Sequence, residues 1–172
     1  MITFRPLAAS DLPMLHEWLQ RPHVVEWWTP TPSLREVIEE FTPTIHPGYP
    51  VQGYIALEGD REIGFMQSYV VKDCGDGWWE DETDPGARGI DQFLAHGEDL
   101  GRGLGTAIVR AFVARLFEDP SVTHIQTDPH PGNRRAIRCY EKAGFRAVRE
   151  VDTPDGRALL MICTRAALGL GA

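Results

Sequence analysis

The first third of the chain carries the apolar spacing and the capping residues of two helices. A short run predicts a strand over 2–5, and Ser10 then stands where it would cap a helix that Pro22 ends. The apolar face of that helix consists of Leu12, Leu15, Trp18 and Leu19. A proline-rich stretch over 28–32 leads to Ser33, which has Glu36 three residues later, the spacing of a capping box for a helix reaching about residue 41.

Runs rich in apolar and β-branched residues predict six further strands. The first two, 53–57 and 63–71, are joined by a short polar connection over 58–61, which is typical of an antiparallel hairpin. The pattern stops over 72–89, an acidic, glycine-rich loop that holds Trp78 and Trp79, and a loop of this length is usually functional or disordered. The remaining strands are predicted over 90–94, 122–127, 145–151 and 157–164, the last two separated by a turn signal over 153–156.

Two more helices are predicted in the second half of the chain. The first follows the glycine-rich segment 101–105, and its apolar face consists of Leu104, Ile108, Ala111, Phe112 and Leu116. The second runs from Asn133 to about residue 143, where Gly144 supplies a left-handed C-terminal cap. This order of elements predicts a mixed sheet with helices on both faces, an α/β or α+β architecture.

Length and composition are those of a single domain over residues 1–172. With 42% apolar residues the chain is long enough for one good core and too short for two comfortable domains. The amino terminus carries an early Arg5 without the apolar run of a signal peptide, and no apolar run approaches the roughly 18 residues of a membrane span. We therefore expect a cytoplasmic protein with no membrane partner.

Charge and metal-ligand spacing argue against two classes of partner. The formal net charge of -8 disfavours nucleic acid and favours a cationic partner, although many proteins carry such a charge only for solubility. Cys74, Cys139 and Cys163 form no CxxC pair, and the six histidines form no HExxH motif. We expect reduced thiols and no metal site.

The glycine-rich segment has the composition of a loop that binds an anion. Gly101, Gly103 and Gly105 remove side chains where the backbone turns into a helix, so successive amide N–H groups can converge on a diphosphate with the helix dipole behind them. A tight turn with close helix packing is the competing interpretation. The segment lacks the Lys-Ser/Thr of a P-loop and the position of a Rossmann fingerprint, which favours coenzyme A over a nucleoside triphosphate or dinucleotide.

Taken with a second motif, this segment resembles the GNAT acyltransferase superfamily. The second motif comprises Asn133, Ala136, Tyr140, Glu141, Lys142, Ala143, Gly144 and Phe145. One departure is Leu100, which stands where the family usually has Gln or Arg. The resemblance implies the GNAT fold, a mixed, mostly antiparallel sheet of about seven strands flanked by helices, and acetyl-CoA as cosubstrate.

Within the superfamily the chain is similar to aminoglycoside 6'-N-acetyltransferases along nearly its full length. The matching segments are 26–28, 67–69, 75–80, 82–86, 88–92 and 125–129. The segment over 29–50 matches least, so we expect differences there on the substrate side. The implied function is acetyl transfer to a primary amine of an aminoglycoside antibiotic, by direct attack in a ternary complex, which confers resistance.

The resemblance implies roles for individual residues. Asp91 corresponds to the proton acceptor, acting directly or through water, with Asp128 as an expected neighbour; Tyr140 corresponds to the residue that protonates or hydrogen-bonds the departing thiolate. A backbone N–H near Phe93 corresponds to an oxyanion hole, and Asn133 to a pantetheine contact. The predicted cofactor-binding residues are Phe93, Leu94, Leu100, Gly101, Arg102, Gly103, Leu104, Gly105, Thr106, Asn133 and Ala136.

A polyamine sugar needs carboxylates for its ammonium groups and flat apolar faces for its rings. The predicted substrate-binding residues are Trp28, Asp76, Trp78, Glu80, Asp91, Asp128 and Asp155. About half of the acidic residues over 80–84 are expected to be merely solvated. Trp27 and Trp79 are expected in the core, because neighbouring residues in an extended chain point in opposite directions.

Two other functions remain open at this point. One is a GNAT acyltransferase of siderophore biosynthesis acting on a hydroxylated lysine-like amine, and the other is a non-catalytic CoA-binding or drug-sequestering module. Preferred aminoglycosides, acceptance of other drug amines and the choice between monomer and homodimer are not decided by the sequence.

Overall fold

The computed structural model describes residues 1–28 and 31–169, so Thr29 and Pro30 of the proline-rich stretch lie outside the described residues. The described strands are β1 Ile2–Pro6, β2 Val51–Glu58, β3 Arg61–Val70, β4 Ala87–Leu94, β5 His124–Thr127, β6 Arg146–Thr153 and β7 Gly156–Thr164. The described helices are α1 Leu12–Leu19, α2 Pro22–Val25, α3 Leu34–Phe41, α4 Leu104–Leu116 and α5 Arg134–Lys142.

The strands form one seven-stranded sheet in the order β1-β2-β3-β4-β5-β7-β6. The pairs β1/β2, β5/β7 and β6/β7 are antiparallel, and β4/β5 is parallel. The predicted mixed, mostly antiparallel sheet is therefore confirmed. Residue contacts group the chain into two compact units, 1–68 with 91–102 and 69–90 with the chain from 103 onward, and a single domain over the whole chain stays a prediction.

The first unit has a core built by α1, α3 and the strands beside them. Leu15, Val37, Ile55 and Phe65 have no exposed surface. The predicted apolar face of α1 is buried in this core, since Leu12, Leu15, Trp18 and Leu19 are all buried.

The start of α1 differs from the prediction. Ser10 is exposed and lies inside a 3-10 turn, Ala9–Asp11, instead of capping the helix. The residue before the helix is Asp11, whose carboxylate accepts hydrogen bonds from the Ala8 N–H at 2.9 Å and from the Arg5 guanidinium at 2.6 Å. Burial acts to raise the pKa of Asp11, but the hydrogen bonds from Arg5 and Ala8 outweigh it and lower the pKa.

The two following helices begin as proline and serine rules require. The prediction that Pro22 ends the first helix is wrong, because α1 already ends at Leu19. Pro22 occupies the first position of the short helix α2. The capping box before α3 is confirmed: the Ser33 hydroxyl accepts from the Glu36 N–H at 3.3 Å, and the Ser33 N–H donates to the Glu36 carboxylate at 2.7 Å.

The second unit contains α4, α5 and strands β5 to β7. Ile108, Phe112, Ile125 and Met161 are buried. Gly144 has a φ of 104°, which confirms the left-handed cap after α5.

Strand β4 begins three residues earlier than predicted. Ala87, Arg88 and Gly89 pair in parallel register with residues 124–126, so backbone hydrogen bonding forms a strand where the apolar pattern gives no signal. The predicted loop 72–89 is shortened accordingly. Within 1–28 and 31–169 no helix is long and apolar enough to cross a membrane.

Candidate functional site

The glycine loop before α4 adopts the left-handed backbone that its composition predicts. Gly101 has a φ of 76° and Gly103 a φ of 85°. Among the described residues other than the two chain neighbours, no atom lies within 4 Å of a Cβ added at either position. Glycine is therefore required here by backbone conformation and not by crowding.

Helix α4 begins at the glycine loop without a side-chain cap. Gly103 is its N-terminal cap residue, and no side chain makes a capping hydrogen bond. The first four N–H groups of an α-helix have no acceptor inside the helix, and the helix dipole adds positive potential there. Of the predicted residues at this start, Leu104, Gly105 and Thr106 are half-buried. The arrangement suits a diphosphate.

Two residues before the loop stands a buried acid that sequence reasoning missed. Asp99 is only 4% exposed, and its carboxylate lies 2.7 Å from an Arg61 guanidinium nitrogen. It also lies 3.9 Å from a guanidinium nitrogen of Arg102. Glu98, its neighbour, is exposed, and nothing in the letters Glu-Asp indicates which of the two acids is buried.

Strand β4 carries Asp91, the predicted proton acceptor. Asp91 is half-buried, and its Oδ2 accepts a hydrogen bond from the Gln67 side-chain amide at 2.8 Å. Gln67 lies in one of the matching segments but was given no role. Its N–H stabilises the ionised carboxylate and restricts its rotation.

Phe93 and Leu94, the predicted cofactor contacts on β4, both have buried side chains. The Phe93 ring packs against Trp28 at 5.0 Å and Phe65 at 5.5 Å between centroids. The Leu94 carbonyl accepts a hydrogen bond from His23 Nε2 at 2.8 Å. These side chains belong to the core, so any contact with a cofactor falls to their backbone.

The tryptophan assignments in the first unit are partly wrong. Trp27, expected in the core, is 37% exposed, whereas Trp28 is half-buried against Phe65 and Phe93. The N–H groups of Trp27 and Trp28 both donate to the Val24 carbonyl, so this segment is a helical turn. Neighbours in a helical turn diverge by about 100° instead of pointing in opposite directions. The substrate contact of Trp28 stays a prediction.

The acidic loop contains a tight hairpin turn over residues 75–78. Asp76 has a φ of 51° and Gly77 a φ of 86°, and the Trp78 N–H donates to the Gly75 carbonyl at 2.9 Å, which is a type I′ turn. The Asp-Gly pair is the sequence signal that would have found it. The turn presents an exposed Asp76.

This hairpin turn lies against the turn between β6 and β7. A Cβ added at Gly77 would lie 3.6 Å from a Pro154 side-chain carbon. Asp155, next to Pro154, is exposed, as is Asp76. The structure therefore brings two of the predicted substrate carboxylates onto neighbouring turns.

Trp78 and Trp79 follow the hairpin turn and are both half-buried, with ring centroids 6.3 Å apart. Trp79 has a φ of 51°, an unusual backbone for a bulky residue, and its indole N–H is buried without a hydrogen-bond partner among the described residues. The expected core position of Trp79 is thus only partly met. Glu80, which follows, is exposed.

Two acids of this loop hold the protein's own backbone in place. The Asp84 carboxylate accepts from the Thr123 hydroxyl at 2.6 Å and the Gly86 N–H at 2.7 Å, and Glu82 accepts from the Asp84 N–H. The hydrogen bond from Thr123 is the main reason that the pKa of Asp84 is lowered. His124 lies 3.6 Å from Glu82 and 3.7 Å from Asp84. These acids are anchors of the loop.

The last group of predicted residues follows β5. Asp128 is half-buried. The Asn133 side-chain oxygen accepts from the Ala136 N–H at 3.1 Å, so this residue caps α5 whatever else it contacts. Tyr140 is 4% exposed and packs against Phe145 with ring centroids 5.4 Å apart. Its proposed role therefore rests on the hydroxyl, since the ring is part of the core.

The described residues contain no group of three or more His, Cys, Asp or Glu side chains that could hold a metal ion. The thiols are free, and burial raises the pKa of Cys139 and raises the pKa of Cys163 to about 11. Neither thiol is suited to act as a nucleophile at neutral pH.

The chain is similar in sequence and in structure to known aminoglycoside acetyltransferases. The chain is 54% identical over 169 residues to aminoglycoside N(6')-acetyltransferase type 1 of Klebsiella pneumoniae, which covers 96% of this chain and 84% of that protein. It superimposes on AAC(6')-Ib in complex with parmomycin and acetyl-CoA with a TM-score of 0.94, covering 98% of this chain and 96% of that one at 54% identity. The complex of AAC(6')-Ib with coenzyme A and kanamycin gives a TM-score of 0.93 at 54% identity, with 98% of both chains covered.

The family comparison agrees with these relatives. The acetyltransferase (GNAT) domain matches residues 8–153, which include the glycine loop and both of its flanking elements. With its seven-stranded sheet and its left-handed loop before an uncapped helix, the chain belongs to the GNAT acetyltransferase family.

Proposed function

We propose that this protein is an aminoglycoside 6'-N-acetyltransferase that transfers the acetyl group of acetyl-CoA to a primary amine of the antibiotic and so confers resistance. The observation that carries the proposal is the left-handed loop at Gly101 and Gly103 opening onto α4, in a chain 54% identical to such enzymes over nearly its whole length. The proposal needs no metal, because the thioester is already an activated acyl donor.

The cosubstrate is held by backbone groups. The amides at the start of α4 bind the diphosphate, and Arg102, whose side chain is 71% exposed, adds a solvent-accessible positive charge. Leu100 provides no side-chain hydrogen bond, so the amide groups carry more of this interaction. At the start of α5, Asn133 contacts the pantetheine arm and Ala136 also contacts the cosubstrate.

Acetyl-CoA supplies a thioester carbon for attack. The substrate amine must be unprotonated to attack it, so its ammonium proton passes to Asp91, directly or through water. The Gln67 side-chain amide holds one oxygen of Asp91 and so fixes the carboxylate for this proton transfer. The new C–N bond forms as the C–S bond breaks, and a backbone N–H near Phe93 stabilises the carbonyl oxygen. Tyr140 delivers a proton to the departing sulfur, and the second proton, which the nitrogen loses on becoming an amide, restores the Tyr140 hydroxyl.

The antibiotic is bound by acids and by aromatic faces. Asp76 and Asp155 on their neighbouring turns, together with Asp128, provide carboxylates for ammonium groups. Trp78 and Glu80 extend this surface, and Trp28 contributes the part of its ring that the core leaves uncovered. The -8 net charge attracts such polycations at long range. We place the enzyme in the cytoplasm, as a monomer or homodimer.

Acetyl transfer to a defined amine tests the proposal. Purified protein with acetyl-CoA is expected to release free thiol rapidly with kanamycin and not with N-hydroxylysine, and mass spectrometry of the product should place the acetyl group on the 6' amine. Turnover of N-hydroxylysine alone would support the siderophore alternative. Absence of turnover with every amine, despite CoA binding, would support the non-catalytic alternative.

Asp91→Asn tests the proton acceptor. It is expected to abolish turnover while leaving CoA affinity unchanged, because it removes the charge and keeps the shape. Asp81→Asn, a change of an exposed acid on the loop, is the matched control and should retain activity. Wild-type turnover by Asp91→Asn would remove Asp91 from the mechanism.

A further inference from the structure

A buried carboxylate stands two residues before the glycine loop and takes no part in the chemistry proposed above. Asp99 ends the 3-10 turn Gly97–Asp99 and is 4% exposed, and its N–H donates to the His96 carbonyl at 3.2 Å. The Leu100 N–H donates to the Gly97 carbonyl at 3.2 Å. The backbone on both sides of Asp99 is therefore held by local hydrogen bonds.

The two oxygens of this carboxylate have different cationic partners. Oδ2 accepts a hydrogen bond from Arg61, at the start of β3, at 2.7 Å. Oδ1 lies 3.9 Å from a nitrogen of Arg102, which is beyond hydrogen-bond distance and leaves that side chain 71% exposed. Asp99 thus fastens the loop to a strand through one oxygen and attracts a loop arginine through the other.

We propose that Asp99 is a positioning residue for acetyl-CoA, which fastens the glycine loop to β3 through Arg61 and keeps the Arg102 guanidinium beside the diphosphate site. The inference rests on the proposed function, since it assigns this loop to the diphosphate. The geometry supplies the reason: a hydrogen-bonded pair at 2.7 Å fixes the loop, whereas a contact at 3.9 Å leaves Arg102 able to move to an arriving anion.

Charge and positioning make opposite predictions for this residue. A carboxylate near a diphosphate repels it, so if Asp99 acted by charge alone, Asp99→Asn would strengthen the binding of CoA. If Asp99 positions the loop, the same substitution weakens binding, because the charge-assisted hydrogen bond to Arg61 is lost. The sign of the change in CoA affinity therefore decides between the two.

Asp99→Asn is expected to raise the dissociation constant of CoA and the KM of acetyl-CoA by at least about tenfold, the order expected from loss of one charge-assisted hydrogen bond. The kcat at saturating acetyl-CoA and the KM of kanamycin should stay within about twofold of wild type. Acetyl-pantetheine, which has the thioester arm without the diphosphate, should react equally well with wild type and variant. Glu98→Gln makes the same charge change at the exposed neighbour and should alter none of these values.

Arg61→Gln provides a second test from the other side of the ion pair. Arg61 is about half exposed, so this variant is expected to fold, and it should raise the CoA dissociation constant in the same direction as Asp99→Asn. Thermal unfolding of each variant checks that the fold is intact. Unchanged or tighter CoA binding in the folded Asp99→Asn variant, or an equal loss with acetyl-pantetheine, would overturn the inference. CoA binding is measured without an acceptor, so failure of kanamycin turnover would count against the proposed function alone.

Discussion

Replacing Gly103 by alanine is expected to weaken acetyl-CoA binding by about five- to thirtyfold. The φ of 85° at this position costs an L-residue roughly 1–2 kcal/mol, and each 1.4 kcal/mol corresponds to about a tenfold change in an equilibrium constant. Apart from the two chain neighbours, no atom of the described residues lies within 4 Å of the added Cβ, so we expect the effect to be conformational. Because Gly103 is exposed, the free loop can relax away from the strain, and the cost then appears when the cosubstrate requires the left-handed backbone.

Gly48 offers a matched control for this experiment. Its φ is 87°, it is exposed, and a Cβ added there also has no described atom beyond its chain neighbours within 4 Å. Gly48→Ala therefore introduces the same strain outside the glycine loop and should leave the KM of acetyl-CoA unchanged. The measurements are steady-state KM, CoA titration and urea unfolding of both variants. A KM within twofold of wild type for Gly103→Ala would refute the assignment of this loop to the diphosphate.

Three further predictions concern packing, pH and thiol chemistry. Gly89→Ala would place a Cβ 2.0 Å from the Tyr69 ring, and we expect it to lower the free energy of unfolding by about 1–3 kcal/mol, with part of the loss recovered in urea melts when Tyr69→Leu is added. Because the pKa of Asp11 is lowered in the fold, the stabilisation from its pair with Arg5 is present above the unfolded pKa of about 3.9 and is lost as pH falls through the folded value. Asp11→Asn should thus be less stable than wild type near pH 7, and a difference that did not shrink as the pH was lowered below about 3.9 would contradict this reasoning. Cys163, with a pKa of about 11, should be only about one part in a thousand thiolate at pH 8, so alkylation followed by mass spectrometry should leave it unmodified in the native state; rapid labelling would show that it is not buried.

Much of the fold follows from short-range patterns. The apolar stripe of α1, the capping box at Ser33 and the left-handed cap at Gly144 are decided by neighbours within about four residues, and all three are present. Ser10 shows the limit of such rules. The start of α1 is organised by Asp11 instead, because its carboxylate accepts hydrogen bonds from Arg5 and from the Ala8 N–H.

Among the functional residues, the loop glycines can be recognised from sequence, whereas the roles of the acids cannot. The glycines of the loop are recognisable from sequence because only glycine adopts their backbone readily, and that property belongs to the residue itself. The acids are different, since a carboxylate has no intrinsic preference between solvent, an ion pair and a ligand. Asp84 is held by Thr123, and Asp99 by Arg61, through hydrogen bonds between residues 38 or 39 positions apart in the chain.

The sequence by itself therefore determined the element order, the loop that suits a diphosphate and the excess of negative charge. Only the tertiary structure decided which carboxylates are anchors, which of Trp27 and Trp28 packs in the core, and that Gln67 holds Asp91. The physical reason is the distance along the chain between the residues that interact. Backbone conformation and capping are set by the nearest residues, whereas the partner of a polar side chain is chosen by strand pairing and packing, which join residues far apart in the chain.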